Sequence, residues 1–178
     1  MAARTTVLVH GNPETSAIWE PLTAALAERG RSDVIALSPP GFGSPVPDGF
    51  DPTLADYADW LVGELAAIWA GGAEIDLLGP DWGAGHVYGA LARRPDLLRT
   101  WAGDIAGFLH RDYVWHDMAQ AWQTPDVGEQ VIDAMTSGGH PDKMARYESL
   151  GLPSSMADQL ASALDADMGR CVLRLYRT

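Results

Sequence analysis

Leu77-Leu78-Gly79-Pro80-Asp81-Trp82-Gly83-Ala84-Gly85 is an apolar, strand-like run that ends in a tight turn, with a carboxylate at the tip and a helical pattern behind it. Where a strand turns this sharply into a helix, the two backbones approach each other closely. The residues two positions either side of the tip then have no room for a side chain, and here both are glycine, Gly79 and Gly83. The pattern predicts that Asp81 stands alone at the carboxyl edge of a sheet, in the place where such turns more often carry serine. A carboxylate presented in this way points to nucleophilic attack on carbon.

Outward from this turn, strand and helix patterns alternate. Thr6-Val7-Leu8-Val9 reads as a strand closed by His10-Gly11-Asn12-Pro13, with a helix expected from about Ala17 to Glu28. Asp33 to Leu37 reads as a second strand, closed by Ser38-Pro39-Pro40-Gly41-Phe42-Gly43, whose prolines and glycines continue neither strand nor helix. Leu54 to Ala70 places Leu54, Tyr57, Ala58, Leu61, Leu65 and Ile68 on one helical face and stops at Gly71-Gly72. The third strand is Ile75 to Leu78; the helix behind the turn ends at Arg93-Arg94-Pro95, and a fourth strand is expected at Leu98 to Ala102. Strands alternating with helices imply a parallel sheet covered on both faces, so each strand is expected to be buried. Their carboxyl ends then share one edge, where such sheets bind ligands. From Phe108 onward no strand is evident: 125–136, 141–150, 154–164 and 165–176 read as short helices, giving a core over 1–107 and a helical lid over 108–178.

The 178 residues are 47% hydrophobic, enough for one sizeable core. A formal net charge of −12, with only 12 Lys and Arg scattered along the chain, argues against nucleic acid or an anionic membrane as partner. Cys171 is the only cysteine, so no internal disulfide is needed; with no signal-peptide pattern and no apolar run of spanning length, a cytoplasmic protein is expected. Neither a metal site nor a cofactor motif is found. Asp165 and Asp167 read as a helix-start pair on a solvated face.

Three motifs lie at successive strand ends: His10-Gly11-Asn12-Pro13, Pro39-Pro40-Gly41-Phe42-Gly43-Ser44 and Gly79-Pro80-Asp81-Trp82-Gly83. Together they resemble the α/β-hydrolase superfamily, and within it the aspartate-nucleophile branch of haloalkane dehalogenases and epoxide hydrolases. The resemblance implies that Asp81 attacks an sp³ carbon of a small apolar substrate to give an alkyl-enzyme ester, which a base-activated water then cleaves. It further implies that the backbone N–H groups of Asn12 and Trp82 stabilise the tetrahedral intermediate. The Trp82 indole and the Asn12 amide would cradle a departing halide, and Asp104 would be the acid that orients a histidine base. Asn12 favours a halide substrate over an epoxide. The lid tyrosines Tyr113 and Tyr147 are the candidates for the two phenol donors that epoxide opening requires, and Trp115 and Trp122 either line the cavity or pack the lid.

Each assignment has a plainer competitor. Asp81 is also a favoured helix N-cap, Asn12 a turn former, and Asp104 a surface aspartate one residue out of the family spacing. The family pattern also requires a histidine after the last strand, and the two strands expected to follow the lid are absent from this sequence. His10 and His86 read as structural, and His110, His116 and His140 fall in the lid. The fourth strand is then expected to present an open edge, which a second copy of the chain would cover. A catalytically silent binding module on the same fold is the alternative of a different class. Serine esterase chemistry is disfavoured, since no Gly-x-Ser-x-Gly turn occurs.

Overall fold

A computed structural model describes residues 3–178. Four parallel strands, β1 (Ala3–Val9), β2 (Val34–Leu37), β3 (Ala73–Gly79) and β4 (Leu98–Gly103), form one sheet in the spatial order β2-β1-β3-β4. β1 lies against β3 from Ala3 opposite Ala73 to Leu8 opposite Leu78, while β3 and β4 slip in register between Ile75 and Asp76. The chain passes from β1 to β2 on one side and returns to β3 on the other. The strand order therefore reverses at β1 and β3, whose carboxyl ends flank the crevice typical of open parallel sheets.

The connections are α1 (Glu20–Glu28), α2 (Leu54–Ala70) and α3 (Trp82–Arg93). The helix expected from Ala17 begins instead as a 3-10 turn, Ser16–Trp19, and α1 starts afresh at Glu20. Pro21 explains the break: without an N–H it fits the first turn of a helix but not the interior. α2 has the expected bounds, opened by the Thr53 hydroxyl, which accepts the Asp56 N–H at 3.1 Å. It packs Leu61 and Leu65 with Val7, Val9, Ile75, Leu77, Val87 and Ala90 in an apolar cluster beside the central strands.

Burial of every strand is corrected. Val7, Leu8 and Val9 of β1 and Ile75 and Leu77 of β3 are sealed, whereas Ile35 and Ala36 of β2, and β4 from Arg99 to Gly103, are exposed. Both are edge strands with a neighbour on one side only, and α1 buries none of its residues. Trp101 of β4 is half exposed, although Tyr88 meets it edge-on at 5.9 Å.

Beyond β4, a 3-10 turn at Gly107–Leu109 precedes α4 (Asp117–Gln123), α5 (Val127–Thr136), α6 (His140–Ser149), α7 (Ser154–Ala163) and α8 (Ala166–Tyr176). The last four match the expected segments to within a residue or two. α4 was not expected, because its N-cap is His116, whose Nδ1 accepts the Ala119 N–H at 3.2 Å, and imidazole is not a usual capping signal. Asp165 caps α8 through the Met168 N–H at 2.9 Å, and Asp167 pairs with Arg170 at 3.1 Å, as a helix-start pair should.

A second apolar cluster joins Phe42, Tyr57 and Trp82 from the strand-end side to Trp122, Leu160, Met168, Cys171 and Leu175 from the helices above. Fully burying a side chain such as Leu160 or Met168 stabilises by roughly 1.5–3 kcal/mol. The helices are therefore fastened over the crevice by a shared core. Arg174 adds a bidentate pair to Asp51, at 2.7 and 2.6 Å, from the other end of that core.

Candidate active site

Asp81 sits at the junction of β3 and α3 with φ 49° and ψ −131°, a conformation that residues other than glycine rarely adopt. Holding it costs on the order of 1–3 kcal/mol, supplied by the surrounding structure. The flanking glycines are required as the sequence implies: a Cβ on Gly79 would lie 2.5 Å from the Gly83 backbone, and one on Gly83 would strike the Val9 carbonyl. The turn thus fits only against β1. Its carboxylate faces the loop after that strand, where the Asn12 N–H donates to Asp81 Oδ2 at 2.9 Å.

That loop is anchored from below. The His10 ring is wholly buried, with Nδ1 2.8 Å from the Gly11 carbonyl and Nε2 3.2 Å from the Ser38 hydroxyl, which leaves Nδ1–H as donor and Nε2 as acceptor. Burial pushes the His10 pKa down to about 4 against the opposing Gly11 and Phe42 backbone bonds. His86, one turn into α3 and tilted against Tyr57 at 5.0 Å, is pushed to about 3 by burial and then by its neighbour His10. Both rings are neutral and enclosed, in keeping with structural roles. From above, the Tyr147 hydroxyl donates to the Pro13 carbonyl at 3.2 Å.

Over Asp81 and Trp82 opens a small cleft, partly open to solvent. Its walls are Ile105 after β4, then Tyr113, Trp115 and His116 ahead of α4, and Tyr176 at the end of α8. Trp115 lies nearly parallel to Trp82 at 5.7 Å, and Tyr176 meets Trp82 edge-on at 5.1 Å. The walls are mostly aromatic, and the floor carries one carboxylate.

The structure brings together Asp81, Trp82, Asn12 and Asp104. The Asp104 carboxylate accepts the Asp81 N–H at 2.9 Å, bracing the turn. Asn12 lies beside Asp81 rather than on the cleft wall, and its buried Nδ2 has no hydrogen-bond partner among the described residues. Of the two lid tyrosines only Tyr113 reaches the cleft; Tyr147 is committed to Pro13. Trp115 lines the cleft, while Trp122 packs behind it against Tyr176 at 4.9 Å. His110 is exposed and His140 is paired with Asp158 at 2.8 Å, away from Asp81. His116 does reach the cleft, but its Nδ1 is already engaged by the Ala119 N–H. Among the described residues no group of three His, Cys, Asp or Glu is arranged to hold a metal ion, and no helix is long and apolar enough to cross a membrane.

Three residues escaped the sequence reading. Tyr176 lies on the same apolar stripe as Met168 and Val172, which signals burial but not proximity to Asp81. Ile105 offers no signal at all. Glu14 follows the motif after β1, and burial, then the charge of Asp81, holds its carboxyl above the usual range.

The alpha/beta hydrolase family profile matches residues 6–173. A haloalkane dehalogenase of Mesorhizobium japonicum is 28% identical over a 137-residue alignment that covers 72% of this chain and 42% of that protein. Among solved structures, a loop variant of a haloalkane dehalogenase from Bradyrhizobium elkanii superposes with a TM-score of 0.70 at 21% identity, over 97% of this chain and 60% of the other. E-2-(acetamidomethylene)succinate hydrolase gives 0.72 at 22% identity, over 99% of this chain and 67% of the other. The chain thus spans under half the length of the curated relative and about two thirds or less of these structures. At such identities the superpositions speak for the fold alone. A profile match over nearly the whole chain, on a sheet whose third strand ends in this glycine-flanked turn, makes the chain a member of the alpha/beta hydrolase family.

Proposed function

We propose that this chain carries the nucleophilic half of a haloalkane dehalogenase-like hydrolase acting on a small apolar halide. The observation that carries the reading is the Asp81 carboxylate, held at the tip of a strained turn with Oδ2 on the Asn12 N–H and opening onto an aromatic cleft. An oxygen of Asp81 attacks the halogen-bearing carbon, the carbon–oxygen bond forms as the carbon–halogen bond breaks, and the electron pair leaves on the halide. Attack by a carboxylate on an alkyl halide needs neither metal nor cofactor. The buried, unpartnered Asn12 amide supports a halide, since it lacks an acceptor and a leaving anion is one.

Hydrolysis of the ester needs a water and a base within hydrogen-bond reach. None of the described histidines is placed for that: His10 and His86 are enclosed, and the Nδ1 of His116 is engaged by the Ala119 N–H. The reading therefore predicts a persistent alkyl ester on Asp81 in this chain. Intact mass after incubation with a reactive alkyl iodide rises by one alkyl group, located on the Asp81 peptide and lost in Asp81→Asn. No mass increase with a panel of halides and epoxides refutes the nucleophile assignment. Epoxide opening is the second reading, favoured by Tyr113 on the cleft wall; a hydroxyalkyl adduct from an epoxide, with none from matched halides, selects it.

A further inference from the structure

An outer strand leaves a row of backbone N–H and C=O groups unpaired, and proteins usually blunt such an edge with lysine, proline, a bulge or a covering loop. β4 is an edge of this kind: among the described residues it has β3 on one side and no strand on the other. Its one irregularity, the slip opposite Ile75 and Asp76, lies at its amino end, and from Thr100 to Gly103 it carries neither charge nor proline. Trp101, near its middle, is half exposed with Tyr88 edge-on behind it, and the exposed Leu109 shares a shallow groove with Tyr88. An apolar strip thus runs along an unblunted edge. β2, the opposite edge, is four residues long and has no aromatic residue.

We propose that β4 pairs antiparallel with β4 of a second copy of this chain, Trp101 against Trp101, joining two four-stranded sheets into one continuous sheet. An antiparallel pair about a two-fold axis uses the same edge on both copies and closes on itself, so one unblunted edge suffices. Charge selects the direction. Arg4 and Arg99 share one carboxylate, Asp76, which leaves the amino end of β4 with an excess of positive charge in a chain of formal charge −12, and Asp104 follows the carboxyl end. Antiparallel pairing sets the basic end of each copy beside the acidic end of the other, whereas parallel pairing of the same edges would set like ends together.

The side chains fix the register. With Trp101 opposite Trp101, Thr100 faces Ala102 and Arg99 faces Gly103, so the two bulky residues meet at the axis and small ones flank them. The two indoles, each backed by its own Tyr88, then close into an aromatic cluster on the face that α3 covers. A six-residue edge is small beside the roughly 1,200–2,000 Å² of stable interfaces, so the dimer is reversible, with a Kd of about 1–100 µM. Asp104, directly after β4, holds the Asp81 N–H, so the contact also steadies the strand on which the nucleophile turn leans.

Sedimentation equilibrium of the chain from about 1 to about 300 µM is expected to show the mass rising from one copy to two and then levelling. Trp101→Lys, at a position already half exposed, should raise the Kd at least about 30-fold, whereas Ile35→Lys on the opposite edge should leave it unchanged. A monomer at every concentration overturns the proposal. So does a mass that climbs past two copies, which marks head-to-tail contact, or a dimer that Trp101→Lys leaves intact. A second readout stands apart from any folding defect in that variant. Thr100→Cys together with Ala102→Cys sets a pair of thiols across each side of the axis, and mild oxidation should then yield a covalent dimer. Cys171 is buried and contributes none. No covalent dimer from this double variant, or as much from Ile35→Cys alone, overturns the proposal.

Discussion

Lowering the pH from 7 to 5 should cost this fold a large part of its stability, and two enclosed histidines set the amount. An imidazole exposed in the unfolded chain titrates near 6.5, whereas in the folded chain burial brings His10 to about 4 and His86 to about 3. The unfolded state therefore binds more protons between these values. Stability is fully present above pH 6.5 and is lost as the pH falls through 6.5 toward 4 and 3. At pH 5 each ring contributes a loss of about 2 kcal/mol, so the pair removes about 4 kcal/mol, with a slope approaching about 1.4 kcal/mol per pH unit per ring. Glu14 opposes this modestly, because its carboxyl is held above the usual range and favours the folded state as the pH drops. Asp51, Asp96 and Glu129 are held low by Arg174, Arg94 and Arg177, so their contribution is lost only at still lower pH. The assay is urea unfolding followed by tryptophan fluorescence at pH 5, 6, 7 and 8. His86→Leu removes one titrating ring from the contact with Tyr57 and should halve the slope. Unfolding free energy that is flat from pH 7 to 5, or a slope unchanged in the variant, refutes the reasoning.

Other outcomes follow from the turn itself. Gly83→Ala drives a methyl group into the Val9 carbonyl and should destabilise by at least about 2 kcal/mol in the same unfolding assay, with no Asp81 adduct in the fraction that folds. Asp81→Gly abolishes the adduct; it relieves the positive φ but removes the acceptor of the Asn12 N–H and adds chain entropy, so the unfolding free energy should change by less than about 1 kcal/mol. Asp104→Ala leaves the Asp81 N–H without its 2.9 Å partner; alkylation should slow severalfold while stability falls by about 1 kcal/mol, and an unaltered rate contradicts its bracing role.

What could be read in advance follows the range of the forces involved. The turn at Asp81, the two glycines and the alternation of strand and helix are local, governed by backbone sterics and apolar spacing over a few residues, and they appear as expected. The exposure of Ile35 and Trp101 is not local: it depends on which strands end up at the sheet edges. α4 was missed because a histidine ring supplies the cap that serine or aspartate usually signals. At the site, Asp81, Trp82 and Asn12 could be named because each belongs to a motif at a strand end. Tyr176 could not, since it lies 95 residues after Asp81 and only the packing of α8 over the crevice brings it there.

Tyr176 shares its helix with Met168, Cys171, Val172 and Leu175, all enclosed in the cluster that joins the helices to the strand-end loops. This sets how the cleft can diversify. A change on α8 that reshapes the pocket also disturbs the packing that keeps the domain folded, so selection for a new substrate meets selection for a folded chain at the same positions. Ile105, Tyr113 and His116 reach the cleft from irregular segments outside that cluster. In a lineage adapting to new substrates, substitutions should accumulate at these three positions first, while α8 stays nearly constant.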